Sequence, residues 1–175
     1  MRFLGLAIIF LTTFVHSQGQ VKSETHDDMQ SCPMHAQHQT QTTHDHTLTQ
    51  RGDKGMGFSQ DRTTHHFLID KNGGTIQVVA NRADDKASIA EIRTHLKHIA
   101  SAFQAGDFEI PMFVHDQTPP GVPVMTRLKN EISYRFEEMD NGGRVVITTR
   151  NPEALTAVRE FLSFQIEEHK TGDPE

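Results

Sequence analysis

Tryptophan is absent from the 175-residue chain, which has one tyrosine and one cysteine. A single thiol, Cys32, excludes an intramolecular disulfide, so any folded region is held by apolar burial even in an oxidising compartment. The material for burial comes from 11 phenylalanines and the aliphatic residues, enough for one core and therefore one domain. Basic residues are also scarce, with 17 Lys and Arg against 23 Asp and Glu. Such a chain has little to offer a phosphate backbone, and nucleic acid is excluded as the expected partner. Catalytic signatures are missing too. There is no nucleophile elbow, phosphate-binding glycine loop, His-Glu-x-x-His helix or second cysteine, and His115-Asp116 is too common a pair to indicate acid–base catalysis. Beyond the N-terminus no run approaches the roughly 18 apolar residues of a membrane helix.

What is present begins with a leader. Residues 1–17 carry one positive charge, Arg2, then a short apolar run, with Val15 and Ser17 fitting the two positions before a cut at Gln18. This is the pattern of a cleavable signal peptide, so the mature product is expected in the periplasm or secreted, without membrane association. Residues 18–62 are mostly Gln, Thr, His, Asp and Gly. So few aliphatic side chains cannot offset the entropy of ordering, and this segment is expected to be disordered.

From residue 63 apolar and polar residues alternate, as a half-buried strand requires, through 63–70 and again through 75–81. Asn72-Gly73 between them suits a tight hairpin turn, which would set Ile69 against Ile76, Phe67 against Val78 and His65 against Ala80. A helix over 86–104, capped by Asp84 or Asp85, carries Ile89, Ile92, Leu96, Ile99, Ala100 and Phe103 on one stripe. The plan then recurs: strands at 133–140 and 144–149, turn Asn141-Gly142, and a helix from Pro152 to about His169 capped by Asn151. Phe67 and Phe136, and the Asn-Gly-Gly triplets at 72 and 141, share an offset of 69. The expected fold is α+β over 63–170: two ββα repeats forming a four-stranded antiparallel sheet with both helices on one face, followed by a tail at 171–175. An inserted Pro-rich loop at 106–131 breaks the symmetry, with a short helix from about Pro123 to Asn130.

Three groups of residues suit metal ligation. Cys32-Pro33-Met34-His35, with His38 close by, offers thiolate, thioether and imidazole ligands appropriate to copper, with zinc as the alternative. His95 and His98 stand three apart on the first long helix, close enough to share an ion, although a surface or boundary pair is the plainer reading. Met112, His115 and Met125 form a mixed set in the proline-stiffened insert, unless Met112 plugs the core. His65 reads as a structural histidine at the rim of the core face. His169 falls on the core side of its helix, where its charge would equally stabilise the C-terminus.

Cys32-Pro33-Met34-His35 resembles the Cys-Pro-Met-His segment of small heavy-metal-binding domains attached to copper and silver efflux proteins, with Ala36 where that motif usually carries Pro. The stretch from Thr63 to the C-terminus resembles an uncharacterised family of secreted bacterial proteins. The resemblance lies in Thr63-Thr64-His65-His66-Phe67, His95-Leu96-Lys97-His98-Ile99-Ala100, the loop at 111–123, and Phe164-Gln165-Ile166-Glu167-Glu168-His169-Lys170-Thr171-Gly172-Asp173. It implies export and a single folded unit. The expected function is metal binding in the cell envelope, with a metal ion as partner and copper-class ions ahead of zinc. A non-enzymatic module docking an envelope protein on His66, Gln77, Arg135, Glu137 and Arg144 comes second. A hydrolase or lyase using His115 comes third.

Overall fold

The computed structural model describes residues 50–175. The expected signal peptide at 1–17 and the candidate ligands Cys32, Met34, His35 and His38 lie outside the described residues. Strands β1 (Thr63–Asp70), β2 (Gly73–Ala80), β3 (Ile132–Met139) and β4 (Gly142–Thr149) form one sheet in the order β1-β2-β4-β3, antiparallel throughout. The α+β expectation holds. Phe67, Ile76, Val78, Val145 and Ile147 are buried on the inner face, as the alternation requires.

The register of the first hairpin differs from expectation by two residues: Phe67 pairs with Ile76 and His65 with Val78. Lys71 and Asn72 make the turn, with the Asn72 N–H donating to Asp70 Oδ1 at 2.7 Å. Gly73 opens β2 instead, at φ 150°, because a Cβ there would stand 2.2 Å from the Ile147 carbonyl oxygen of β4. The glycine is needed for close approach of two strands rather than for the turn. Since the shift is even, every side chain keeps its face.

Among the described residues five helices accompany the sheet: α1 at residues 50–56, α2 (Lys86–Ala105), α3 (Glu109–His115), α4 (Val122–Arg127) and α5 (Pro152–His169). Asp85 caps α2 by accepting from the Ser88 N–H, and Asn151 caps α5 by accepting from the N–H groups of Glu153 and Ala154. α2 packs mainly against β3 and β4 and α5 mainly against β1 and β2, and both bury their apolar stripes in one core with the inner-face residues of the sheet. Ile92, Leu96, Val158, Phe161 and Leu162 fill the space between helices and sheet.

Two expectations need correction. The insert is not a loop through Pro111: that proline is the third residue of α3, inside a first turn where its missing N–H costs nothing. The short second helix runs Val122–Arg127, followed by a 3-10 turn at Lys129–Glu131, and starts from Gly121 at φ 79°, which backs onto the Ala157 carbonyl of α5. Nor is the chain structureless up to residue 62. α1 and a 3-10 turn at Gln60–Arg62 precede β1, and Phe58 between them is only 4% exposed. Arg51 fastens α1 to α3 by donating from Nε to the Val114 carbonyl at 2.8 Å.

A candidate metal centre built from four histidines

α1 and α3 cover one end of the helical layer, and beneath them lies a cavity of about 60 Å³. His65 from β1, His95 from α2, His115 from α3 and His169 from α5 all line it, together with Met56 and Gln165. Four separate elements therefore bring imidazoles to one place. The His65 and His169 rings stack at 5.6 Å between centres, and His115 meets His169 edge-on at 5.1 Å. Phe58 bridges the other side, its ring 6.0 Å from that of His65 and 5.5 Å from that of His95.

His115 is the most deeply placed, 3% exposed. As the Gln165 amide is oriented, His115 Nε2–H donates to Gln165 Oε1 at 3.0 Å. That tautomer leaves the lone pair on Nδ1, which is buried without a hydrogen bond and lies 3.7 Å from Glu168 Oε2. His65 Nε2 is likewise buried without a hydrogen-bond partner. Orphaned polar nitrogens in an otherwise apolar interior call for an explanation, and a bound ion or water is the usual one.

Burial governs protonation here. It pulls His65 down to about 4, with the neighbouring His66 charge adding to the effect. His95 falls to about 4 and His169 to about 3, first through burial and then through the adjacent histidines. His115 is lowered by burial despite opposing contributions from Gln165 and Glu168. All four are neutral at neutral pH, the form that ligates a metal. His169 therefore does not stabilise its helix terminus as a cation.

The sequence-derived site is only partly assembled. His95 and His115 face the same cavity. His98 is exposed on the outer side of α2. Met112 is 38% exposed, and Met125 is fully buried in the hydrophobic core without lining the cavity, so the set Met112, His115 and Met125 does not gather around it. Their places are taken by Met56, His65 and His169. In α3 Met112 and His115 are i, i+3 neighbours, but the buried side of this helix is centred on Pro111, Val114 and His115, which leaves Met112 at the solvent edge. One signal was available in the composition: four of the six histidines from residue 63 onward line this cavity.

The rings stack rather than converge. Among the described residues no three His, Cys, Asp or Glu side chains are gathered closely enough to enclose an ion as they stand. On the outer sheet face, Glu137 is ion-paired with both Arg135 and Arg144, and His66 is held by Asp173. Comparison with family models, curated proteins and solved structures finds no match to this chain.

Proposed function

We propose that this is an exported metal-binding protein, and that its folded domain holds a copper-class ion between the imidazoles of His65, His115 and His169, with His95 and Met56 at the margin. The observation that carries the reading is four neutral histidines from four elements lining one cavity, with His65 Nε2 buried without a hydrogen-bond partner and His115 Nδ1 facing only Glu168 Oε2 at 3.7 Å. Ring nitrogens bind at about 2.0–2.1 Å, which places the centres of two rings sharing an ion about 5–6 Å apart. The separations of 5.1 and 5.6 Å lie in that range. Rotation about the broad χ2 torsion of histidine is the rearrangement that turns a stack into a convergent set.

Size points the same way. A cavity of about 60 Å³ has room for an ion and a water, each water taking about 30 Å³ of liquid volume, whereas organic ligands occupy pockets of about 300–1,000 Å³. Copper is preferred to zinc because the Met56 thioether joins the imidazoles and because Cys32, Met34 and His35 supply soft ligands in the N-terminal segment. Glu168 near His115 is the feature that suits zinc instead. The test is a Cu(I) competition titration of the full chain against His65→Ala/His169→Ala, with Zn(II) in parallel. Loss of one tight Cu(I) equivalent in the double variant supports the folded site, and identical stoichiometry and affinity in both proteins refute it.

A further inference from the structure

We propose that an outer groove between α1 and α2 is the door through which the ion reaches the buried histidines, with His98 meeting it first. This inference rests on the metal-binding reading above. The groove has a volume of about 520 Å³ and is lined by Gly57, Glu91, Thr94 and His98 on its outer side. Met56, His95 and Ile110 line both this groove and the inner cavity. Those three side chains stand between the groove and the imidazole cluster. Two of them, a thioether and an imidazole, are themselves donors to a soft or borderline ion. The rest of the inner wall includes Leu96, Ile99 and Phe161, core residues that give no passage.

The spacing on α2 makes a graded path. His98 is exposed and His95 lies three residues before it, so their side chains are neighbours on the helix surface. Glu91 is one turn further back, at i−4 from His95, and places negative charge at the mouth of the groove. An ion captured by His98 and passed to His95 and Met56 exchanges one ligand at a time and is never stripped of all of them together. Met56 can yield without unfolding anything, because a methionine side chain turns about three bonds. Its backbone is set between Gly55 and Gly57, the latter at φ 77° with open space around it.

The experiment follows the ring resonances of His65 and His169 by NMR in the full chain while Cu(I) is added anaerobically in excess, and then while a competing chelator removes it. Wild type is compared with His98→Ala, His98→Gln and Thr94→Trp, the last filling the groove from an exposed position. A residue on the path changes association and dissociation together, so loading and removal are expected to slow by the same factor, about tenfold for Thr94→Trp, with equilibrium affinity unchanged. Unaltered rates in all three variants overturn the door while leaving the metal site intact. Faster release and weaker affinity in His98→Ala also overturn it, by making His98 a ligand of the final site. A wild-type chain whose His65 and His169 signals ignore Cu(I) removes the metal-binding reading, and the door with it.

Discussion

Asp173 Oδ1 lies 2.9 Å from His66 Nδ1, and the same carboxylate accepts the Phe67 N–H through Oδ2 at 2.9 Å. The chain reaches that position by turning back after α5 through Lys170 and Gly172, both at positive φ. Burial alone would raise the Asp173 carboxyl, but hydrogen bonds from Thr171, Phe67 and His66 outweigh it and hold it below the usual carboxylate range. Four residues before Asp173 is His169, and one before His66 is His65, so the clamp fixes α5 against β1 where those two rings stack. Asp173→Ala is expected to cost about 0.5–1.5 kcal/mol, the range for a typical hydrogen bond, because the His66 side chain stays partly open to water. Urea unfolding measures it, and a double-mutant cycle with His66→Ala isolates the pair; a coupling energy of zero would contradict the clamp.

Tyr134 gives a prediction of opposite sign. Its hydroxyl is buried without a hydrogen bond, and burial raises its pKa well above the ordinary tyrosine value. Tyr134→Phe keeps the ring against Phe103 and removes the unsatisfied group. The variant is expected to be as stable as wild type or more so, by about 1 kcal/mol. A lowered urea midpoint would show that the hydroxyl has a partner in solution.

The strands and the two long helices were legible because alternation and the 3.6-residue stripe are local signals, and Asp85 and Asn151 mark the helix starts directly. The hairpin register was not. Gly73 reads as a turn residue along the chain, but its conformation is set by β4, more than seventy residues away. α3 is not legible because Pro111 reads locally as a loop former, and only the start of the helix two residues earlier makes it a first-turn residue. The candidate site was half legible: His95 and His115 stood out, but the partnership of His65 with His169 joins the first strand to the last helix, and no local pattern announces it.

Protonation of the cluster links stability to pH. In the folded chain His65 and His95 sit at about 4 and His169 at about 3, against about 6.5 in the unfolded chain. The fold prefers the neutral rings, so their contribution is complete above about 6.5 and is lost as pH falls from there toward the folded values. In that window the unfolded chain binds more protons, and unfolding free energy rises with pH. The metal-free protein is therefore expected to lose urea resistance between pH 6.5 and 5, where ordinary carboxylates scarcely titrate. A His65→Gln/His169→Gln variant should show a flatter profile; an equal slope would mean that the rings are not buried as neutral groups.

The candidate ligands of the N-terminal segment lead to a separate expectation. Replacing Cys32, Met34 and His35 together by Ala removes the thiolate and a thioether. Cu(I) affinity of that segment should fall much more than Zn(II) affinity, as ligand softness requires. Competition titrations with both ions decide it, and equal losses would remove the preference for copper.

The most direct test is X-ray absorption at the copper edge on the full chain carrying the Cys32, Met34 and His35 replacements and loaded with one equivalent of Cu(I). Nitrogen scatterers at about 2.0 Å with the outer-shell pattern of at least two imidazoles are expected. The signal should be lost when His65 and His169 are also replaced. A chain that retains no copper after the N-terminal replacements, or whose copper spectrum is unchanged without His65 and His169, would contradict a metal centre in the folded domain.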